Sequence, residues 1–387
     1  MLPSESKVVH IIPAEAEHLS LGIVESLITS SSQRYYFIIA RTSKDDGFYV
    51  SKKALRAGGT LADWKMSYRD LFSKYLYEDY VFSDGILELV LRCVLAGRSP
   101  IVLHSDRRLM RLVVLVLAYL DVTWVCWGNG FVLKEGCSIA TLLNNAFKHL
   151  FMWRLDNIVC LMEPDARYIR EIYSRRRVLT IPYAGLRAAS DLGIQGKRDP
   201  GSVKDVSRIL LGNSGRHVKS YLSAIEVLKR YAGKVHITCM LNYGLARNEE
   251  YARLQDSGRE YFGDNFALDE TFHDRDDLGR YINSYDVYVC AVESQTGLGV
   301  AGLALNAGLK LYLSGHNYEW FNQLGYRVFK YDELMEEGAN NLVHPLSHLE
   351  KLHNRRLRDD MRERNLMLRE RFLLGLIKRS GYRAVFV

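Results

Sequence analysis

The stretch that decides the fold reads Ile209-Leu210-Leu211-Gly212-Asn213-Ser214-Gly215, and an amphipathic segment follows it at residues 218–231. A short apolar run that opens through glycines into a helix is typical of a buried parallel strand and its crossover helix. Several backbone N–H groups gather at such a turn, at the positive end of the helix, and this geometry suits a phosphate group. Asn213 or Ser214 can equally cap the helix, so both roles stay open at this point.

A second loop of the same kind is Ala291-Val292-Glu293-Ser294-Gln295-Thr296-Gly297-Leu298-Gly299, between an apolar run and a helical segment at 300–306. Two loops with glycines and hydroxyl groups at helix starts favour a phosphate ligand more than either loop alone. Glu293 either accepts hydrogen bonds from ribose hydroxyl groups or is an ordinary exposed carboxylate. Neither loop has the G-x-x-x-x-G-K-[ST] or the G-x-G-x-x-G pattern, which excludes a P-loop NTPase and disfavours a dinucleotide dehydrogenase.

An alternation of strands and helices extends outward from these two loops. Short, continuous apolar runs predict parallel strands that are buried on both faces, at residues 8–12, 35–39, 100–104, 122–126, 158–161, 178–181, 208–211, 235–240, 287–291 and 309–313. Amphipathic segments predict helices, at residues 14–28, 85–95, 107–120, 142–153, 164–174, 218–231, 248–255, 276–284, 300–306 and 349–377. The pattern predicts an α/β protein with two doubly wound parallel sheets, whose ligands bind beyond the carboxyl ends of the strands.

Composition divides the chain into four parts. Residues 185–206 contain Gly, Ser, Asp and Lys without an apolar period, so they are the predicted linker. Residues 1–184 and 207–350 are then the two domains, and residues 351–387 are a C-terminal helix. The length of 387 residues agrees with two domains, and 48% hydrophobic and 25% charged residues are typical of a globular protein.

The excess positive charge lies in the C-terminal segment. The whole chain carries a net charge of +7, and residues 351–387 hold 11 Lys and Arg against 4 Asp and Glu, which is also +7. The rest of the chain is therefore neutral, which argues against nucleic-acid binding. A basic amphipathic helix either docks on its own protein or lies on anionic lipid.

Six cysteines without a C-x-x-C pair predict buried free thiols in a reducing compartment. No His or Cys set has zinc spacing, and the acidic residues at 274–277 are better explained as the first turn of a helix than as metal ligands. The longest apolar run, at residues 112–120, is much shorter than the ~20 residues of a spanning helix, and the N-terminal residues do not have the order of a signal peptide.

Two strand ends in the first half also carry polar residues. His104-Ser105-Asp106 provides the residue types of a general base and of the group that orients it, although a lone histidine at a strand end can also be structural. Trp127-Gly128-Asn129-Gly130 follows the next predicted strand, and its glycines allow a ligand to approach the backbone closely.

The chain resembles the bacterial TDP-fucosamine:lipid II transferase family, which adds 4-acetamido-4,6-dideoxygalactose to a polyprenyl-diphosphate sugar. The resemblance is clearest at residues 209–324 and looser in the first 185 residues. The matching features of the second half are Leu211–Gly215, Asn248-Glu249-Glu250-Tyr251, Tyr281-Ile282, Asp286, Gln295-x-Gly297-Leu298-Gly299, Asn306-Ala307-Gly308, Asn317 and Trp320. The first half matches at His10, His104 and Trp127-Gly128. The family follows its tryptophan and glycine with a small residue and an aspartate, whereas this chain has Gly130 at the acidic position.

The resemblance implies a GT-B glycosyltransferase, with two Rossmann-like domains facing a central cleft and the sugar donor held mainly by the second. It implies no metal or cofactor, and it assigns residues to four roles. The catalytic base is His104, or second Asp106. The nucleoside is bound by Glu293 and Tyr243. The donor diphosphate is bound by Gly212, Asn213, Ser214, Gly215, Gln295, Thr296, Gly297, Leu298 and Gly299. The acceptor cleft contains His10, Trp127, Gly128, Asn129 and Asn317.

The implied reaction moves a (deoxyamino)sugar from a nucleoside diphosphate, TDP by analogy with the family, to a polyprenyl-diphosphate-linked glycan. The implied partners are the nucleotide sugar, the lipid-linked saccharide and an anionic membrane surface, and the implied location is the inner face of the bacterial cytoplasmic membrane. Two alternatives stay open: a GT-B-like nucleotide-sugar epimerase, and a non-catalytic nucleotide-sugar-binding assembly subunit.

Overall fold

The structure is a computed structural model, and the chain divides into two compact units, Met1–Gly185 together with Glu363–Val387, and Leu186–Arg362. The predicted linker, the predicted strand-end residues Asp106, Trp127, Gly128 and Asn129, and Tyr243 all lie outside the residues that the structure describes. The described residues are 7–13, 17–31, 35–40, 63–96, 99–104, 108–116, 120–126, 130–175, 177–182, 207–242, 247–271, 273, 275–336, 342 and 344–383.

The described part of the first unit contains one parallel sheet of seven strands in the order β3-β2-β1-β4-β5-β6-β7. The apolar runs of β1 and β2 are buried along their whole length, as expected for parallel strands covered on both faces. The strands are β1 (Val8–Pro13), β2 (Tyr35–Ala40), β3 (Tyr80–Ser83), β4 (Ile101–Leu103), β5 (Val122–Val125), β6 (Asn157–Cys160) and β7 (Val178–Thr180). The strand order reverses between β1 and β4, which are neighbours in the sheet.

Helices connect these strands, and their side of the sheet follows from right-handed crossovers. The helices are α1 (Glu17–Ser31), α2 (Asp63–Lys74), α3 (Ile86–Leu95), α4 (Arg108–Val116), α5 (Ile139–Arg154) and α6 (Glu163–Tyr173). The crossovers through α1 and α2 run in one direction along the sheet and those through α3 to α6 run in the other, so the two sets cover opposite faces. Buried aromatic side chains, among them Phe37 and Trp124, fill the space between the helices and the sheet.

The described part of the second unit contains a parallel sheet of six strands in the order β10-β9-β8-β11-β12-β13. The strands are β8 (Ser207–Leu211), β9 (Val235–Met240), β10 (Phe266–Asp269), β11 (Val287–Cys290), β12 (Lys310–Leu313) and β13 (Phe329–Lys330). The helices are α7 (Val218–Leu228), α8 (Glu249–Phe262), α9 (Arg275–Ile282), α10 (Leu298–Ala307), α11 (Gly315–Gln323), α12 (Glu333–Glu336) and α13 (His348–Arg383). Here the strand order reverses between β8 and β11.

Helix α13 begins in the second unit and ends in the first. In the second unit, the side-chain amide of Asn354 donates to the carbonyl oxygen of Arg327 over 3.1 Å, and the amide of Arg327 donates to Asn354 Oδ1 over 2.7 Å. In the first unit, Arg369 Nη1 donates to Ser26 Oγ over 2.9 Å, and Leu373 and Leu376 are buried.

The prediction of two doubly wound parallel sheets is confirmed. The ten predicted strands are present, with no end shifted by more than one residue, and α5 begins three residues earlier than predicted. The sequence prediction missed β3, β10 and β13, which are short strands at or near the sheet edges. The six cysteines form no disulfide bond with one another; five of them are buried, and Cys137 is exposed. Among the described helices, none is long and apolar enough to span a bilayer.

Candidate functional site

The two glycine-rich loops of the second unit meet where the strand order of its sheet reverses. The first loop follows β8, the second follows β11, and these strands are hydrogen-bonded neighbours. Because both strands are parallel, the loops leave the same edge of the sheet side by side. A crevice at the carboxyl ends of the strands, at the point of reversal, is where open α/β sheets bind their ligands.

The first loop turns at a glycine that no other residue can replace easily. Gly212 has a φ of +74°, and a Cβ at this position would lie 2.3 Å from Cζ of Tyr221. Its amide donates to the carbonyl oxygen of Val289 on β11 over 2.9 Å, which continues the β8–β11 pairing into the turn. The chain then bends directly over the ring of Tyr221.

The hydroxyl group of Tyr221 accepts hydrogen bonds from two amides of the first loop, those of Asn213 over 3.1 Å and Ser214 over 3.2 Å. Burial raises the pKa of Tyr221 well above its ordinary value, so the hydroxyl group stays neutral. Both amides therefore point into the protein. Ser214 Oγ accepts from the amide of Arg216 over 3.2 Å, which is the capping role that the sequence left open. Direct diphosphate binding by Asn213 and Ser214 stays a prediction, and both side chains are almost completely buried.

Side-chain hydrogen bonds join the two loops. Asn213 Nδ2 donates to Thr296 Oγ1 over 3.2 Å, and Asn317 Nδ2 donates to the carbonyl oxygen of Thr296 over 2.7 Å. Gly297 has a φ of +61°, and a Cβ there would lie 2.9 Å from Asn213 Cγ. The structure thus brings predicted residues of both loops together, and Asn317, which was predicted for the acceptor cleft, contacts the same group.

The second loop leaves the beginning of α10 accessible. Leu298 and Gly299 are partly exposed, and a Cβ on Gly299 would meet nothing within 4 Å. The amides of the first turn of a helix have no acceptors within the helix, so they are available to an anion. Among the described residues, the buried side-chain oxygens Gln295 Oε1 and Asn317 Oδ1 lack a hydrogen-bond partner.

Glu293 lies beside a very close approach between the second loop and α11. Its side chain is exposed, which fits both of the roles that the sequence left open. Its carbonyl oxygen accepts from the amide of His316 over 2.8 Å. Gly315, with a φ of +47°, approaches so closely that a Cβ there would lie 2.1 Å from the same oxygen. This contact fixes the first part of the second loop, just beyond the end of β11.

Two exposed cations lie at the first loop, Arg216 and Lys219, and neither was among the predicted site residues. A positive charge at the beginning of a helix opposes the helix dipole and is normally unfavourable there. A basic pair directly after Gly-Asn-Ser-Gly was therefore a signal for an anionic ligand, and it was readable from the sequence.

The first unit places His10 and His104 together at its own point of strand reversal. His10 lies on β1 and His104 directly follows β4. His10 Nδ1 and His104 Nε2 are 2.9 Å apart, and the two rings are stacked with centroids at 5.2 Å. Since one nitrogen must donate and the other accept, the contact contains a single proton. Both rings are buried, so this pair belongs to the interior of the unit.

Burial determines the protonation of this pair. Burial and the charge of Arg369 lower the pKa of His104 to about 3. Burial, His104 and Arg369 lower the pKa of His10 well below its ordinary value. Both rings are therefore neutral near pH 7. A base is most effective when its pKa lies near the working pH, so His104 is a weak base, and its catalytic role stays a prediction.

The buried pair predicts a loss of stability in mild acid. Below pH 6.5 the unfolded chain binds a proton at His104 while the folded protein does not, so stability falls as the pH decreases from 6.5 towards about 3. At about pH 5, His104 alone accounts for a loss of ~2 kcal/mol. The free energy of unfolding of the first unit is measured at each pH by urea titration, with hydrogen exchange of first-unit peptides as the readout. A His104→Gln protein should lose less stability than the wild type between neutral pH and about pH 5, and a His236→Gln control should lose as much as the wild type. Equal losses in all three proteins would contradict the assignment.

Acidic and histidine side chains form few clusters in the part of the chain that the structure describes. Within it, no group of three or more His, Cys, Asp or Glu side chains is arranged to hold a metal ion. His273 Nε2 and Asp269 Oδ2 are 2.7 Å apart after β10, but they form only a pair. The predicted acidic stretch at 274–277 coincides with the start of α9, as the helix interpretation expected.

No family model and no curated protein matches the sequence. Solved structures do resemble the chain. They include a glycosyltransferase from Rickettsia africae (TM-score 0.63, 11% identity, 98% of this chain and 99% of that chain). An α,α-trehalose-phosphate synthase (UDP-forming) from Burkholderia vietnamiensis has a TM-score of 0.62 and 13% sequence identity, and the match covers 99% of this chain and 100% of that chain. An E. coli trehalose-6-phosphate structure bound with UDP-2-fluoro glucose has a TM-score of 0.64 and 12% sequence identity, and the match covers 96% of this chain and 99% of that chain. The similarity covers nearly the whole chain at this low identity, so the chain has the GT-B fold of these glycosyltransferase structures.

Proposed function

We propose that this protein is a glycosyltransferase that holds a nucleoside-diphosphate sugar at the two joined loops of its second unit. The observation that carries the proposal is the hydrogen-bonded contact of Asn213, Thr296 and Asn317 at the point of strand reversal. This contact holds the accessible beginning of α10 next to the basic residues that precede α7. The GT-B fold supports the proposal, because the solved structures that share it include a UDP-forming synthase and a complex with UDP-2-fluoro glucose.

In this proposal the diphosphate lies against the first-turn amides of α10, at Leu298 and Gly299. Arg216 supplies a positive charge from the other loop, and Glu293 accepts hydrogen bonds from the ribose. An acceptor hydroxyl oxygen forms a bond to the anomeric carbon while the bond from that carbon to the phosphate oxygen breaks. The nucleoside diphosphate leaves with the electron pair. Fixed amides and a guanidinium stabilise the charge that develops on the leaving phosphate.

The hydroxyl proton needs an acceptor. His104 was the first choice from the sequence, but a pKa of about 3 makes it a poor one. The proposal therefore gives the proton to Asp106, two residues further along the chain, and gives His104 a structural role in the pair with His10. Asp106 would also replace the acidic residue that the resembled family carries at the position of Gly130.

The substrates are proposed from the sequence resemblance. The donor is a deoxyamino sugar on a nucleoside diphosphate, TDP by analogy, and the acceptor is a polyprenyl-diphosphate-linked glycan used in bacterial surface polysaccharide synthesis. Such an acceptor is embedded in lipid, so the enzyme would work at the inner face of the cytoplasmic membrane.

A thermal-shift panel with TDP, UDP, GDP and ADP tests the donor site. A nucleotide at ~100 times its dissociation constant stabilises a folded protein by ~2.7 kcal/mol. For a unit of this size that is a rise of about 5–10 °C in the melting temperature of the second unit. We expect a selective rise with one of the four nucleotides. No rise with any of them would contradict the proposal.

A variant pair identifies the loop. Arg216→Gln should weaken binding of the effective nucleotide by about 10- to 100-fold, since a hydrogen bond to a charged group contributes about 1.5–3 kcal/mol. The exposed Arg253→Gln on α8 is the control and should bind like the wild type.

Product analysis with the matching nucleotide sugar then separates the activities. Transfer to an added acceptor supports the proposal, whereas epimerised donor without transfer supports the epimerase alternative, and binding without turnover supports the assembly subunit.

A further inference from the structure

Helix α5 of the first unit has an apolar face that is exposed. Ile139, Leu142, Leu143, Leu150 and Trp153 are 77%, 57%, 66%, 48% and 73% exposed. At 3.6 residues per turn, these five positions fall within about 100° of the helix circumference. The opposite side, with Phe151 and Met152, is buried against the unit. A helix on the surface of a globular protein normally has polar residues on its outer side, so this outer face needs a partner.

The neighbouring helices extend the same surface. On α3, Leu87, Leu91, Val94 and Leu95 are 44–83% exposed at a spacing of four, three and one residues, which is one side of a helix. Helix α4 packs between α3 and α5, and its Leu112 is 46% exposed. These three helices cover the same face of the sheet, so their exposed residues share the outer side of one layer. We call the outer side of α3, α4 and α5 the apolar surface.

The part of the sequence that contains the apolar surface carries a net positive charge. Residues 139–154 of α5 include no Asp or Glu. From residue 86 to residue 182 the sequence carries 13 Lys and Arg against 8 Asp and Glu, a net charge of +5. Basic side chains gather where α5 ends: Arg175 Nη1 donates to the carbonyl oxygen of Trp153 over 3.3 Å, and Arg177 is exposed two residues later.

We propose that the apolar surface docks on an anionic lipid membrane. Interfacial helices bury leucines and tryptophan at the level of the headgroups, while nearby cations contact lipid phosphates. The exposed Trp153 at the end of α5 and the exposed Arg177 fit this arrangement, whereas Arg175 donates to the carbonyl oxygens of Trp153 and Leu155. A second copy of the chain is a poorer partner, because a twofold contact through this face would bring two positively charged surfaces together. This proposal rests on the proposed function and names the part of the molecule that contacts the membrane.

The basic end of α13 is a separate feature of the same unit. Arg369 donates to Ser26 on α1, so this end of α13 lies on the side of the sheet opposite to α3, α4 and α5. Leu373 and Leu376 are buried, and these apolar side chains are therefore occupied by the protein. The apolar surface, and not this helix end, offers leucines and a tryptophan together.

Vesicle flotation of the full chain tests the proposal without nucleotide, so its failure and the failure of the donor site are distinguishable. The vesicles are phosphatidylcholine with or without phosphatidylglycerol. The wild type should float with the anionic vesicles, and Leu142→Glu/Leu143→Glu should bind them at least about tenfold more weakly, since each leucine loses its burial in lipid. Leu349→Glu, an exposed leucine of the second unit, is the matched control and should bind like the wild type.

Circular dichroism and the melting temperature must be unchanged in the double variant, which is expected because both leucines are largely exposed. If it does not fold, Trp153→Gln replaces it as the test variant. Equal flotation of wild type and variant would overturn the proposal, as would a wild type that ignores anionic vesicles. Gel filtration tests whether a second copy of the chain binds this surface instead. A wild-type dimer that becomes monomeric in the variant would assign the surface to that second copy and would also overturn the proposal.

Discussion

A Gly297→Leu protein is expected to bind the nucleoside diphosphate at least about 100-fold more weakly than the wild type. Gly297 precedes α10 with a φ of +61°, and a Cβ there would lie 2.9 Å from Asn213 Cγ. A side chain therefore forces the two loops apart and moves the first-turn amides of α10. Losing two hydrogen bonds to a charged group, at about 1.5–3 kcal/mol each, accounts for this change in affinity.

Titration calorimetry with the nucleotide found in the thermal-shift panel measures the effect. Gly233→Leu is the control, because Gly233 has a similarly positive φ of +80° but faces open space in a turn before β9. That turn is at the amino ends of the strands, away from both loops. The control should bind normally, whereas unchanged affinity in the Gly297 variant would remove the second loop from the donor site.

Gly315→Ala is expected to have the largest effect on stability. An added Cβ would lie 2.1 Å from the carbonyl oxygen of Glu293, and the φ of +47° disfavours any other residue as well. The opposing atom belongs to the backbone of the second loop, and the hydrogen bond from the amide of His316 already holds it in place. Overpacking of about 1–3 kcal/mol and a left-handed backbone at about 1–2 kcal/mol together predict a loss of about 2–5 kcal/mol.

Hydrogen exchange of second-unit peptides in urea measures this loss, since a chain with two units need not unfold in one step. Gly233→Ala isolates the backbone contribution and should lose only about 1–2 kcal/mol. If both variants lose the same amount, the contact between Gly315 and Glu293 has no energetic weight of its own.

The fold could be predicted because most of its strands are short apolar runs covered on both faces, a pattern that is local in the sequence. Strand β10 escaped prediction because its sequence, Phe-Ala-Leu-Asp, is only partly buried at the edge of the sheet. The glycines of the two loops were also visible, since they follow apolar runs directly.

The hydrogen bonds of the site could not be predicted in the same way. The position of Tyr221 on an amphipathic helix predicts only a core residue. Nothing near it in the sequence shows that its hydroxyl group accepts hydrogen bonds from the amides of Asn213 and Ser214. The pairing of His10 with His104 spans 94 residues and depends on β1 lying next to β4. Only the strand order of the whole sheet decides such a contact.

Helix α13 has a consequence for the order in which this protein is made. Glu363–Val387 belong to the first unit, although the ribosome synthesises them after the second unit. At about 5–20 residues per second, the 177 residues of Leu186–Arg362 separate the two parts of the first unit by about 10–35 s. During that time α1 is without the contact from Arg369 to Ser26. The first unit is therefore completed only after all residues of the second unit have been synthesised.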